Sequence, residues 1–141
     1  MEENKGQNGH IFKLKDGTEI RVGDYVFVHN NDSNLNNWIA KVRKKKYVRK
    51  RKTYVEIQWY YRKTDLEGCS NRHLTGKDEL FESDHSQNLE PTTFNGKCEV
   101  HSMKTYLQKI KDKTYTSGVD FFSRYCYNSN SLSFKKQKDF A

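Results

Sequence analysis

The sequence predicts an all-β fold, a distorted β-barrel of short strands with a few short helices. Two observations indicate this class. Short segments rich in β-branched and aromatic residues recur between turn signals at intervals of roughly 8–12 residues. Helical periodicity is weak throughout the 141 residues, and the chain contains a single proline. Many short strands joined by turns therefore account for the pattern better than a helical bundle does.

The strongest strand candidate is the segment TYVEIQWYYR at residues 53–62. Its apolar and polar positions alternate, as expected for a strand that buries one face. The segment KDGT at residues 15–18 is a turn signal between two shorter strands. The sequence further suggests strands at 11–15, 19–22, 25–29, 38–42, 96–103 and 119–127, a short apolar step at 79–81, and a helical turn at 104–109.

The composition fits one domain with a thin core, since only 33% of the residues are hydrophobic but 13% are aromatic. We expect a disordered lead-in at 1–9, the domain at 10–135, and a tail at 136–141 that links to a larger protein. No apolar run is long enough for a membrane span or follows a signal-like N-terminus, so we expect no membrane partner. An odd number of widely spaced cysteines favours a reducing compartment.

The basic excess is confined to one segment. The formal charge is +8, and residues 41–52 hold nine Lys or Arg and no acid, which leaves 17 basic and 18 acidic residues elsewhere. Such a run predicts a local contact with a polyanion, namely non-specific binding of nucleosomal DNA. A solvated hairpin tip or a nuclear import signal would give the same pattern. The residues expected to contact DNA are Lys44, Lys45, Lys46, Lys50 and Arg51.

Catalytic and metal-binding patterns are weak. Ser83, Asp84 and His85 are consecutive, and neighbouring residues on a strand point to opposite faces, so they cannot form a relay among themselves. Cys98 and His101 make one close pair of potential ligands, whereas structural zinc sites usually show two. A buried thiol in a strand explains Cys98 equally well. The sequence therefore predicts no enzyme, no metal and no cofactor.

Aromatic residues are concentrated in one predicted strand. Trp59 and Tyr61 share a face of the 53–62 segment, and Trp38 lies in the preceding strand, from which it is expected to reach the same face. Two or three ring faces can enclose a quaternary ammonium group. Taken alone, aromatic residues on strands more often form core.

The order of several motifs resembles the bromo-adjacent homology (BAH) domain family. The resemblance covers roughly residues 17–134 and implies a distorted all-β barrel in a non-catalytic module of chromatin proteins. The residues that carry it are Gly23-Asp24-Tyr25-Val26, Trp38-Ile39-Ala40-Lys41-Val42, Gln58-Trp59-Tyr60-Tyr61-Arg62, Glu79-Leu80-Phe81, Ser83-Asp84-His85, Gly96-Lys97-Cys98, Val100-His101 and Asp120-Phe121-Phe122.

Within this family, the chain is most similar to plant and animal readers of the polycomb-type histone trimethyl-lysine mark. The resemblance implies a methyl-lysine cage of Trp38, Trp59 and Tyr61, where the first position is more commonly Tyr. It also places His85 beside the bound peptide.

Three positions bear on the peptide and on the methylation state. Gln87 stands where those readers have an acid that holds the peptide, so the preferred peptide sequence is expected to differ. Readers of the origin recognition complex type have Tyr at the positions of Ser83 and His85, which favours trimethyl-lysine here. Asp65 matches an acid of that second type and leaves lower methylation states open.

These observations predict a nuclear chromatin reader that binds a methylated histone tail, with trimethyl-lysine favoured and an auxiliary DNA contact through the basic segment. The expected partners are a histone tail peptide and nucleosomal DNA, and the module is expected to be monomeric. The alternative is a non-catalytic module that binds a nucleosome or a protein without any dependence on methylation.

Overall fold

The computed structural model describes residues 12–32, 36–44, 47–62, 78–128 and 133–136, and it confirms the predicted all-β class. In these ranges the helices are one α-helix, α1 (Met103–Lys111), and one 3-10 helix (Pro91–Thr93). The strands are β1 (Phe12–Lys13), β2 (Glu19–Ile20), β3 (Tyr25–Val28), β4 (Trp38–Val42), β5 (Tyr47–Arg49), β6 (Lys52–Tyr61), β7 (Glu79–Leu89), β8 (Phe94–His101), β9 (Asp120–Asn128) and β10 (Ser133–Lys136).

The strand pairing is mostly non-local. β1 and β2 form a two-stranded sheet, and the other strands form an eight-stranded sheet with the order β10-β9-β7-β6-β4-β3-β8. β5 pairs with β6 outside this path, and β8 pairs with β9 as well, so the order of pairing returns to β9. β9 runs parallel to both β7 and β8, which long connections between these strands permit.

The predicted alternation is best realised in β6. Val55, Ile57 and Trp59 are buried, whereas the intervening Glu56 and Gln58 are partly exposed. β4 has the predicted bounds and pairs antiparallel with β3, with Val28 opposite Trp38. Alternation thus located β6, whereas β4 buries the consecutive residues Ile39 and Ala40 and was located by its aromatic and β-branched residues.

β7 is the main departure from the predicted secondary structure. The sequence indicated only a short apolar step at 79–81, but the strand continues to Leu89. Most of its second half is exposed and polar, so it lacks the alternation by which a half-buried strand is recognised. At its start, a register shift between Leu80 and Phe81 allows consecutive residues to be buried, as at a β-bulge.

The chain divides into two compact units. The first contains the residues up to Gln58 together with Ser86–Lys97, and the second contains Trp59–His85 together with the residues from Cys98 onward. In the first unit, Gly17 supplies the positive φ of 93° that the predicted turn requires. The Asp16 carboxylate accepts a hydrogen bond from the Thr18 amide at 2.9 Å, and this bond lowers the pKa of Asp16.

In the second unit, the buried Asp78 carboxylate accepts hydrogen bonds from α1 and from the segment that follows it. The side chain of Ser102 caps the helix by accepting from the Thr105 amide at 3.1 Å. The ring of Tyr106 packs on Phe122 at 4.5 Å between centroids. The hydroxyl groups of Tyr106 and Tyr115 both donate to the Asp78 carboxylate, which is 6% exposed. Burial and this hydrogen bond raise the pKa of Tyr106.

Asp120 plays a similar role at the start of β9. It accepts from the Thr116 amide at 2.7 Å and lies 2.7 Å from Nε2 of His101. Burial acts to raise the pKa of Asp120, but the hydrogen bonds from His101 and Thr116 outweigh it and leave the pKa below its ordinary value. Because the folded-state pKa is lowered, this carboxylate stabilises the fold above its unfolded-state pKa and loses that contribution as the pH falls.

Candidate functional site

A partly exposed pair of rings lies where β6 ends beside β7. The Tyr61 hydroxyl is 2.6 Å from Nδ1 of His85, and the ring centroids are 5.6 Å apart in an edge-to-face arrangement. Nε2 of His85 faces the Asp84 carboxylate at 3.8 Å. With the ring proton on Nε2, Nδ1 accepts and the Tyr61 hydroxyl donates, and with the proton on Nδ1 the two roles are reversed. This hydrogen bond fixes the orientation of the Tyr61 ring.

Ser83 holds the two strands together behind these rings. Its hydroxyl donates to the Trp59 carbonyl at 2.7 Å and accepts from the His85 amide at 3.0 Å. The Ser83 side chain is therefore committed to the backbone, and the residue is 4% exposed. The geometry agrees with the prediction that Ser83, Asp84 and His85 do not form a catalytic relay.

Tyr127 completes the ring cluster and was not anticipated from the sequence. Its ring lies edge-to-face against Tyr61 at 6.5 Å and against His85 at 6.4 Å. The residue is 6% exposed and packs against Phe81, so it forms the floor behind the two more accessible rings. The parallel pairing of β7 with β9 places Tyr127 opposite Ser83. Nothing in the sequence signals this long-range pairing.

The two tryptophans predicted to share a cage differ in exposure. Trp59 is 7% exposed in the second unit, whereas Trp38 is 44% exposed in the first unit. The structure therefore brings Trp59 into the unit that holds Tyr61 and His85. Trp38 presents much of its ring to solvent at the start of β4.

Of the residues predicted to hold the peptide, Gln87 is exposed on β7 and belongs to the first unit. Asp65 lies outside the described residues. His85, with its side chain 42% exposed, is thus the predicted peptide contact whose surroundings are best defined.

The basic segment forms a hairpin whose turn is occupied by cations. Arg49 of β5 pairs with Lys52 of β6, and Lys50 and Arg51 form the two-residue turn with φ values of 51° and 69°. A turn with positive φ at both central residues normally contains Asn-Gly, because other side chains are strained there. Lys50 and Arg51 are exposed, and in the described part of the chain neither has an ion-pair partner.

The remaining predicted DNA contacts are only partly described. Nζ of Lys44 lies 3.7 Å from the Glu56 carboxylate, in a largely exposed pair that contributes little to stability. Lys45 and Lys46 lie outside the described residues.

Cys98 is 3% exposed in β8, and burial raises its pKa to about 12. A thiol in this environment remains protonated near neutral pH and behaves as a small apolar group. Among the described residues, no three His, Cys, Asp or Glu side chains are grouped so that they could hold a metal ion. The described helices also include none that is long and apolar enough to cross a membrane.

The strand order and the ring cluster define an all-β domain, and its membership of a non-catalytic family confirms the prediction that the chain is not an enzyme. The chain belongs to the BAH domain family, whose model matches residues 18–138.

Two curated relatives are similar over most of this chain. The chromatin remodeling protein SHL of Arabidopsis thaliana is 31% identical over 125 residues, which are 87% of this chain and 53% of that protein. The chromatin remodeling protein EBS of the same plant is 30% identical over 115 residues, which are 82% of this chain and 47% of that protein. The chain thus spans about half the length of these curated relatives.

A solved structure supports the fold independently. The crystal structure of the yeast Rsc2 BAH domain superposes with a TM-score of 0.70 and covers 90% of this chain and 52% of that one. The sequences are only 19% identical, so this likeness concerns the fold.

Proposed function

We propose that the chain is a nuclear chromatin reader that binds a methylated histone lysine, with trimethyl-lysine favoured. The observation that carries the proposal is the partly exposed Tyr61–His85 pair, backed by Tyr127, in a member of a chromatin-associated family. The named relatives are chromatin remodeling proteins, which supports a chromatin partner and a nuclear location. A single module within a larger chromatin protein would suffice for this function.

The physical basis is what methylation changes in the ligand. A trimethylated ammonium keeps its charge, loses its N–H donors and is less costly to remove from water. A ring face attracts such a cation by ~0.5–2 kcal/mol. Two or three faces therefore supply on the order of 2–4 kcal/mol before ordering costs, enough for a several-fold preference over unmethylated lysine.

Within the proposed site, Tyr61 offers the ring face and His85 holds that ring while bordering the peptide. Trp59 is 7% exposed and lies two positions before Tyr61 on β6, and it remains a predicted ring of the cage. Trp38 remains the predicted third ring. Gln87 and Asp65 remain predicted determinants of the peptide sequence and of the methylation state.

The first test is calorimetric titration with histone tail peptides that carry the polycomb-type lysine in unmethylated, mono-, di- and trimethylated form. We expect micromolar binding of the trimethylated peptide and several-fold weaker binding of the unmethylated one. Tyr61→Ala should abolish the preference, because it removes the ring face. Tyr61→Phe keeps the face and loses only the hydroxyl, so it should retain the preference. His85→Ala removes the peptide contact but leaves the Tyr61 ring packed on Tyr127, so it should weaken all methylation states alike.

Equal affinities for the unmethylated and trimethylated peptides would discard the cage. Binding to an array of histone tail peptides with graded methylation tests lysines at other histone positions. If no methylated tail is preferred on the array, the chain is better described as an interaction module that is indifferent to methylation.

We also propose that the basic hairpin contacts nucleosomal DNA without reading its sequence. Lys50 and Arg51 occupy turn positions with positive φ, where Asn-Gly would stabilise the hairpin better. What the two residues provide instead is positive charge, which supports a contact with DNA. An exposed cationic tip can approach phosphates, and the sequence of the segment contains no element expected to read bases.

The second test is the salt dependence of binding to a 20-base-pair duplex. If about four phosphates are neutralised, log affinity should fall against log salt with a slope near −3.6. Alanine at Lys44, Lys45, Lys46, Lys50 and Arg51 should flatten the slope and leave peptide binding unchanged. Lys50→Asn with Arg51→Gly suits the turn and removes two charges, so it should flatten the slope by about 1.8 without loss of stability. An unchanged slope in both variants would assign the segment to nuclear import or to solvation.

A further inference from the structure

The first compact unit contains a cavity of about 700 Å³ beside the basic hairpin. A volume of this order is typical of sites that accept a small molecule or part of a larger one. Its walls come from the turn after β1, the start of β6, the 3-10 helix and the start of β8. The residues that matter here are Lys13, Leu14, Lys15, Thr53, Pro91 and Thr92.

The polar groups around this cavity suit an oxyanion. Lys13 and Lys15 are exposed, and neither has an ion-pair partner among the described residues. The hydroxyl groups of Thr53 and Thr92 likewise have no hydrogen-bond partner within the described ranges. Asp16 also lines the cavity, and its carboxylate, which accepts from the Thr18 amide, keeps its charge, so the two lysines leave the lining with one excess positive charge. The cavity therefore offers ammonium and hydroxyl donors around an apolar wall.

The cavity and the hairpin are adjacent because both include the start of β6. Thr53 lines the cavity and directly follows Lys52, which pairs with Arg49. At about 3.3 Å per residue along a strand and about 4.8 Å between strands, the backbone of the turn lies within roughly 10 Å of Thr53. Neighbouring phosphates of one DNA strand are separated by less than this distance, so one strand can reach both the turn and the cavity.

We propose that this cavity is a second DNA contact, which receives a backbone phosphate of the same strand that the hairpin engages. The proposal rests on the DNA contact proposed for the hairpin and adds a defined path for the strand. Lys13 and Lys15 neutralise the phosphate, Thr53 and Thr92 donate hydrogen bonds to its oxygens, and the apolar wall contacts the adjoining sugar. A histone tail is itself basic, so the two lysines oppose its entry and separate this site from the peptide site.

The test is the salt dependence of duplex binding for the Lys13→Ala, Lys15→Ala double variant, measured by fluorescence anisotropy. Because the two lysines together neutralise one phosphate, the slope should become flatter by about 0.9, so the affinity lost between 50 and 200 mM salt should be about 3.5-fold smaller. Lys104→Ala with Lys111→Ala removes the same charge from exposed positions of α1 and should leave the slope unchanged. Thr53→Val keeps the side-chain shape, removes the hydroxyl and should weaken binding several-fold at constant slope.

The outcomes separate this proposal from that for the hairpin. A flattened slope in the hairpin variants but not in the double lysine variant overturns the cavity proposal and leaves the hairpin contact intact. The reverse result would leave the cavity as a DNA contact by itself, and it would overturn both the hairpin contact and the shared path of the strand. If the double variant binds duplex normally but loses affinity for a poly-glutamate peptide, the cavity serves an acidic protein segment and the proposal is wrong. Both lysines are exposed, so the melting transition should remain intact.

Discussion

Replacing Arg124 with alanine is expected to lower the free energy of unfolding by about 3–5 kcal/mol, because it leaves a buried carboxylate without its partner. Nε and Nη2 of Arg124 donate to the two oxygens of Glu79 at 2.7 and 2.8 Å. The Glu79 side chain is 0% exposed, and that of Arg124 is 21% exposed. The guanidinium also lies over the rings of Phe122 and Tyr125, at 5.7 and 5.1 Å from their centroids.

Chemical denaturation of matched variants would measure this effect. Arg124→Lys keeps the charge but cannot form both hydrogen bonds, so its loss should be smaller than that of Arg124→Ala. Glu79→Leu combined with Arg124→Leu removes both charges and should cost less than Arg124→Ala alone. If Arg124→Ala lies within about 0.5 kcal/mol of the wild type, the Glu79 carboxylate must find water or another donor in its place.

The sequence predicted those elements whose signal is local. β4 has its predicted bounds, and β6 differs from its prediction by one residue at each end, because β-branched and aromatic residues are concentrated in both strands. The predicted helical turn after β8 corresponds to α1, which begins after the capping residue Ser102. The predicted length of β7 was too short, because the later residues of this strand are polar and pair without burying a face.

The candidate site was predictable only in part. His85 and Tyr61 were singled out through the family resemblance, and the structure brings them into hydrogen-bond contact. Tyr127 was missed because it reaches them through a parallel pairing between distant strands. The Glu79–Arg124 pair was missed for the same reason, since 45 positions separate the partners. Hydrophobic patterning indicates which face of a strand is buried, but it does not indicate which strands become neighbours.

Replacing Trp59 with alanine is expected to lower the free energy of unfolding by about 3–5 kcal/mol and to abolish methyl-lysine binding. Trp59 is 7% exposed on the alternation that also buries Val55 and Ile57, so its removal leaves a large cavity. The indole is also a strong cation-π partner, and its loss would deprive the proposed cage of a ring. A single substitution thus tests two roles of one side chain, and the two must be measured separately.

Trp59→Phe provides that separation, because it retains a ring and most of the buried apolar surface. It should destabilise the protein less than Trp59→Ala and should weaken trimethyl-lysine binding only in part, since phenylalanine attracts a cation less strongly than tryptophan does. Thermal melting locates a temperature at which each variant is fully folded, and calorimetric titration with the trimethylated peptide is then performed below it. If folded Trp59→Ala binds the trimethylated peptide as tightly as the wild type, the indole serves only the core. The recognition of methyl-lysine would then depend on Tyr61, whose ring is held by His85 and is more accessible.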